Sequence, residues 1–173
     1  MKIATIIMFS ASLLIGKNIF CQDYNVPPNY QFTSKEDFSK YEKDIIEAAK
    51  WLLETPLNEQ QEKRKEVSAF VVKWISGSPT VNVEINPTIM DFEKKNPGML
   101  VLYMAASAKY VLENNYANDM RAKHRASLRD LIKVYKGGKG IKKDKKMDKL
   151  IKSDEDGKID EWLADNLKIE QGH

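Results

Sequence analysis

The sequence predicts an all-α protein: a bundle or stacked helical hairpins of about six to seven helices, with one short extended connector near residues 80–85. Three observations carry that prediction. Apolar residues return every three or four positions in one segment after another. The breaks between those segments are short and rich in Pro, Gly and Asn. Only Thr80–Ile85 alternates apolar Val81, Val83 and Ile85 with polar Asn82 and Glu84, and one short strand cannot build a sheet.

Residues 1–22, MKIATIIMFSASLLIGKNIFCQ, read as a secretory signal. Lys2 precedes Ile3–Gly16, a 14-residue stretch without charge, and Lys17 ends it. That is shorter than the roughly 20 residues of a transmembrane helix. Cleavage is expected near Cys21 and Gln22. Bulky Phe20 stands where a lipoprotein signal places a small residue, which favours soluble export over lipid attachment at Cys21. The mature chain then has no stable transmembrane segment and a periplasmic or secreted location. Cys21 is the only cysteine, so the domain has no internal disulfide and no thiol nucleophile.

Residues 23–33 form an extended lead-in, and residues 34–168 one all-α domain, with 169–173 as a tail. Ser34 opens a helix with Asp37 as an imperfect capping-box partner. Phe38, Tyr41, Ile45, Ala48, Ala49 and Leu52 continue its stripe to about residue 54, where Pro56 breaks it. Asn58 is the expected cap of the next helix, whose buried face is Val67, Phe70, Val71, Trp74 and Ile75 and which Gly77-Ser78-Pro79 stops. These two segments should pair as an antiparallel hairpin. Asn86-Pro87 starts a short helix through Phe92, and Asn96-Pro97 repeats the device before Met99–Leu112, the most apolar helix of the mature chain. Asn118 or Asp119 caps a helix to Tyr135, which Gly137-Gly138-Lys139-Gly140 ends as a C-cap and flexible hinge. A lysine-rich helix follows from about Lys142 to Lys152, and residues 137–152 are expected to be flexible. The last helix runs from Lys158 to about Leu167.

Motifs for specific chemistry are few. Asp154-Glu155-Asp156-Gly157 resembles a calcium loop, but aligning Gly157 with its sixth position puts Lys152 first and Leu163 last, where carboxylates belong. It reads instead as a turn whose acids favour the next helix's N-terminus. His124 lies on an apolar stripe without neighbouring His or Cys, so it reads as a histidine packed at the core edge. The glycine cluster follows a helix and lacks the phosphate-loop spacing. No catalytic residue, metal ligand or cofactor-binding residue is assigned.

Charge is the stronger signal. The whole chain carries +3, but with Lys2 and Lys17 removed residues 23–173 hold 26 basic and 25 acidic residues. That near-neutral total is sharply divided: residues 121–152 carry 13 Lys+Arg and 3 Asp, whereas residues 153–173 carry 7 acids and 2 lysines. Arg121, Arg125, Arg129, Lys142, Lys143, Lys145, Lys146 and Lys149 form a candidate anion-binding face. Its favoured counterweight is the acidic segment that follows directly. Tyr135 is the only aromatic in the run, which does not suit base stacking, so no nucleic-acid partner is expected.

The run from Glu54 to Asn114 carries Thr55-Pro56-Leu57-Asn58, Gly77-Ser78-Pro79-Thr80-Val81 and Lys95-Asn96-Pro97. On these features the chain resembles small exported helical proteins of Bacteroidota-type bacteria over residues 35–167. The resemblance implies an exported helical protein and transfers no site. The leading expectation is a non-enzymatic binding protein for a protein or envelope component, through the Asn86–Asn96 segment and the 121–152 face. The alternatives are a small hydrolase using carboxylates or His124, and a peripheral binder of anionic lipid or glycan.

Overall fold

A computed structural model describes residues 23–169; the expected signal at 1–22 and the last residues of the expected tail lie outside them. Among the described residues there are eight helices and no strand. They are α1 (Lys35–Lys40), α2 (Glu42–Glu54), α3 (Gln61–Gly77), α4 (Pro87–Lys95), α5 (Met99–Glu113), α6 (Met120–Gly137), α7 (Lys145–Glu155) and α8 (Ile159–Leu167). The fold is all-α, with one helix more than the upper expectation.

The extra helix comes from a break at Tyr41. Ser34 and Asp37 form a complete capping box at the start of α1, further tied by the Thr33 amide and hydroxyl to the Asp37 carboxylate. A continuous helix would give the Phe38 carbonyl to the amide of residue 42. Here that carbonyl accepts from Trp74 Nε1 at 3.0 Å and from the Tyr41 amide at 3.2 Å. Burying the Trp74 indole requires a partner for its N–H, and the helix breaks where that partner is taken.

Helix α3 starts two residues later than Asn58 predicts. Gln60, at φ 47°, is its cap, and Asn58 lies instead against the loop after α6. Its antiparallel pairing with α2 is as expected. Buried Arg64 reaches back to the carbonyls of Leu52, Thr55 and Pro56, placing a guanidinium on the C-terminal end of α2, where the helix dipole favours a cation. Asn86 caps α4 through the Ile89 amide at 3.1 Å, with Pro87 at its first position; α4 continues past Phe92 to Lys95.

Asn96 does not cap α5. Gly98, at φ 101°, holds that place, and the Glu93 carboxylate accepts from the amides of Gly98 (3.0 Å) and Leu100 (2.9 Å). An acid on free N–H groups at a helix start suits both the orphan donors and the dipole. Asn96 is buried and grips the backbone of Lys142, donating to its carbonyl at 2.9 Å and accepting from its amide at 2.6 Å.

Helix α5 packs against α2, α3, α4 and α6, while α7 and α8 pack on α6. The extended lead-in is docked through Tyr24, Val26, Tyr30 and Phe32. Phe32 stacks on Phe38 with centroids 5.3 Å apart, and Tyr30 meets Phe70 edge-on at 4.8 Å. The 80–85 segment is extended without forming a strand, with Val81 buried.

The glycine-rich segment is exposed from Gly137 to Gly140 and meets the rest of the fold closely at Gly140. Gly138, at φ 70°, is the C-cap of α6. Gly140, at φ 74°, sits so close to Asn58 that a Cβ would fall 2.7 Å from its amide nitrogen. Tyr135 Oη accepts from the Asp144 amide at 2.7 Å, and Asp144 caps α7, which therefore starts at Lys145 and not near Lys142. Gly140→Ala should destabilise the protein by about 1–3 kcal/mol, because the left-handed backbone and the missing space both oppose a Cβ. Gly137→Ala, inside α6 with nothing within 4 Å of the added methyl, should instead stabilise by about 0.4–1 kcal/mol. Urea unfolding of both variants checks the opposite signs.

Candidate functional site

Three places bring polar side chains together: the interface of α5 and α6, an open groove at their C-terminal ends, and the surface around α7. The α5–α6 contacts advance together along both helices, Tyr103 meeting His124, Ser107 meeting Ser127, and Lys109 meeting Asp130. His124 is therefore inside the core and not at its edge, with a relative exposure of 2%. The Tyr103 hydroxyl bonds to its Nδ1. Burial, with the nearby Glu84 charge second, pushes the Tyr103 phenol well above its ordinary range, so it stays protonated and donates. That leaves the imidazole proton on Nε2, which lies 3.7 Å from the Glu84 carboxylate. Burial, and then the Lys123 charge, lower His124 to about 4, with Glu84 acting in the opposite sense.

The extended connector covers this pair. Lys123, itself buried, donates to the Asn82 carbonyl at 2.9 Å and to Glu84 at 2.6 Å, pinning the connector onto α6. The Ser107 and Ser127 hydroxyls meet at 2.9 Å, and Ser127 also reaches the Lys123 carbonyl at 2.8 Å. The Tyr103, Ser107 and Ser127 hydroxyls and the Lys123 ammonium each have a hydrogen-bond partner in the cluster, as burial demands. The arrangement holds a helix pair and its connector in register and keeps His124 neutral near pH 7.

The groove has a volume of about 840 Å³ and lies between the last turns of α2, α5 and α6. Its walls carry a chain of alternating charges. Lys50 lies 3.6 Å from Glu113, Glu113 3.5 Å from Lys109, Lys109 3.3 Å from Asp130, and Asp130 2.9 Å from Lys133. A charged ligand would have to break these pairs to gain its own. The residues lining it do not include His124, so the two features expected of a hydrolase are not in one cavity.

The basic run is divided by the fold. Arg125 pairs with Asp160 at 2.7 Å, Arg129 with Asp154 at 2.9 Å, and Lys136 with Glu155 at 2.5 Å, while Arg121 donates to the Ile169 carbonyl at 3.4 Å. The acidic α7–α8 segment thus covers the arginines of α6, and the carboxylates that resembled a calcium loop are engaged there. Five lysines around α7 are left open. Lys142, Lys143, Lys145, Lys149 and Lys152 are exposed, and none has a carboxylate within ion-pair distance among the described residues. Lys146 is the exception, bonding to Asp91 of α4.

That contact joins the basic run to the Asn86–Asn96 segment. Asp91 is shared by Lys146 and by Lys94 at 2.5 Å, which together hold its carboxyl well below the ordinary range, at about 2. With Asn96 fastened to Lys142, exposed Lys94 and Lys95 of α4 join the α7 lysines in one basic surface. The sequence named the two segments separately, and Asn96 stands 46 residues before Lys142. A run-based reading of charge does not join segments so far apart.

Comparison with protein-family models, curated proteins and solved structures finds no match.

The buried histidine sets a pH dependence. An unfolded histidine titrates near 6.5, whereas His124 titrates at about 4. Between those values the unfolded chain binds the extra proton, so stability is full above about pH 6.5 and declines toward pH 4, by on the order of 2–3 kcal/mol from this residue. His124→Gln should flatten that part of the stability curve. In an NMR titration of the folded protein the His124 imidazole, assigned apart from that of His173, should show no midpoint near 6.5; finding one there for His124 would contradict the enclosed, neutral histidine.

Proposed function

We propose that this is an exported, non-enzymatic binding protein that holds an anionic partner of the cell envelope through the lysine surface of α4 and α7. The observation that carries the proposal is the division of the basic run: Arg125 and Arg129 pair with Asp160 and Asp154 and Arg121 bonds to the Ile169 carbonyl, while Lys142, Lys143, Lys145, Lys149 and Lys152 face solvent without carboxylate partners among the described residues. A charge run that served only the fold would be expected to find its counter-charges within it. The basic 121–152 face and the Asn86–Asn96 segment, expected separately to contribute, meet at Asp91–Lys146 and Asn96–Lys142, which favours one shared surface. Support for export is the charge-free run Ile3–Gly16 behind Lys2.

A hydrolase draws less support. His124 is sealed under the connector and kept neutral by burial, and Glu113 and Asp130 of the groove bond to lysines on its own walls.

Retention on a sulfated polysaccharide matrix tests the binding surface. Wild-type protein should be retained at low salt and released as salt screens the charges. Lys142→Gln, Lys145→Gln, Lys149→Gln and Lys152→Gln combined should elute at much lower salt. Arg125→Gln with Arg129→Gln should lower thermal stability and leave retention nearly unchanged. Equal loss of retention in both sets would contradict the division. Export is checked by mass spectrometry of the secreted or periplasmic protein, whose N-terminus should lie at Gln22.

A further inference from the structure

The lysine surface is convex and carries an exposed apolar side chain, and those two properties identify the chemistry of its partner. Lys145, Lys149 and Lys152 stand at i, i+4 and i+7 on α7. At about 100° per residue they fall within an arc of roughly 60°, opposite buried Met147 and Leu150. They form a ridge about 10 Å long at 1.5 Å per residue, pointing away from the core. Lys142 and Lys143 extend the ridge at its N-terminal end, and Lys94 and Lys95 flank it on α4. On α4 the buried residues are Ile89 and Phe92, and Met90 lies on the outer side, one turn before Lys94. It is 53% exposed, the most exposed large hydrophobic among the described residues.

We propose that this ridge docks on a bilayer of anionic phospholipid, with the lysines over the headgroups and Met90 entering the interfacial layer. The proposal rests on the lysine-surface reading above and names its partner. Three observations favour a lipid surface over a sugar polymer. A convex ridge meets a plane along its whole length, whereas the large groove of this fold lies elsewhere, at the ends of α2, α5 and α6. The open cations are all lysines, compact charges on flexible stems that suit laterally mobile headgroups, whereas Arg125 and Arg129, whose planar fork reads fixed oxyanions, are already paired with Asp160 and Asp154. An apolar side chain amid basic ones is the composition of an interfacial contact. Asp91, which would repel phosphate beside Met90, is held by Lys94 and Lys146. Exposed Tyr116, a candidate sugar platform, lies on another segment and bonds to Glu42 at 2.7 Å.

Vesicle co-sedimentation of the full chain tests this, comparing phosphatidylcholine vesicles with vesicles containing phosphatidylglycerol. The uncharged 3–16 segment contributes alike to every variant, so differences between variants report the ridge. Binding should require phosphatidylglycerol and fall steeply with salt. Each lysine removed should weaken partitioning about fivefold, so Lys145→Gln, Lys149→Gln and Lys152→Gln together should weaken it about a hundredfold with circular dichroism unchanged. Met90→Trp should give fluorescence that shifts to the blue on anionic vesicles, and Met90→Asp should bind several-fold more weakly. Retention on the sulfated polysaccharide without vesicle binding would overturn the lipid partner and leave the lysine-surface reading standing. Failure to bind either would overturn both. Vesicle binding that is independent of salt and of the lysine substitutions would overturn the ridge as the docking element.

Discussion

Helix α5 buries Met99, Leu102, Tyr103, Ala105, Ala106, Ser107, Ala108 and Val111, positions that run right round its circumference. A helix apolar on all sides must be surrounded, and α2, α3, α4 and α6 do so. The other features of the fold follow from how its polar atoms are satisfied in that enclosure. Its first amides take the Glu93 carboxylate, which fixes the approach of α4. Its two buried hydroxyl side chains, Tyr103 and Ser107, take His124 and Ser127, which fixes the register of α6. The alanines and serine at 105–108 let that neighbour come close. The histidine that invites a catalytic reading is thereby explained by the enclosure of α5: it accepts a buried phenol's proton in hydrogen bonding and stays neutral.

The same enclosure organises charge. With its inner face on α5, α6 presents Arg121, Arg125 and Arg129 outward, and the α7–α8 hairpin brings Asp154 and Asp160 against Arg129 and Arg125. The inward side of α7 carries Met147 and Leu150, so its lysines at 145, 149 and 152 face solvent. A near-neutral protein thus acquires a neutralised side and a basic side, and its long-range field is that of a dipole, not of a uniformly basic particle.

Much of the fold was legible in the sequence because its signals are local. The capping of α4 by Asn86 with Pro87 at its first position, the capping of α6 by Asp119, the C-cap at Gly138 and the extended 80–85 connector depend on residues within a few positions of one another. The misreadings share a cause: a residue with a local use was taken by a distant partner. Phe38's carbonyl went to Trp74, dividing one helix into α1 and α2; Asn96 went to Lys142, leaving Gly98 and Glu93 to start α5; Asn58 went against Gly140, moving the start of α3 to Gln61. Side-chain amides and carbonyls serve equally well near or far, and spacing does not say which.

The sequence by itself determined the helical class, the polarised charge and the lack of a disulfide, since these follow from periodicity, composition and one cysteine. It placed His124 on an apolar stripe but could not enclose it, because enclosure depends on Tyr103 and on the connector pinned by Lys123. Only the tertiary structure decided which basic residues are open. Ion pairs form across space between charges that chain order leaves unassigned, and packing α7 by Met147 and Leu150 turned its lysines outward while the hairpin carried its acids to the arginines.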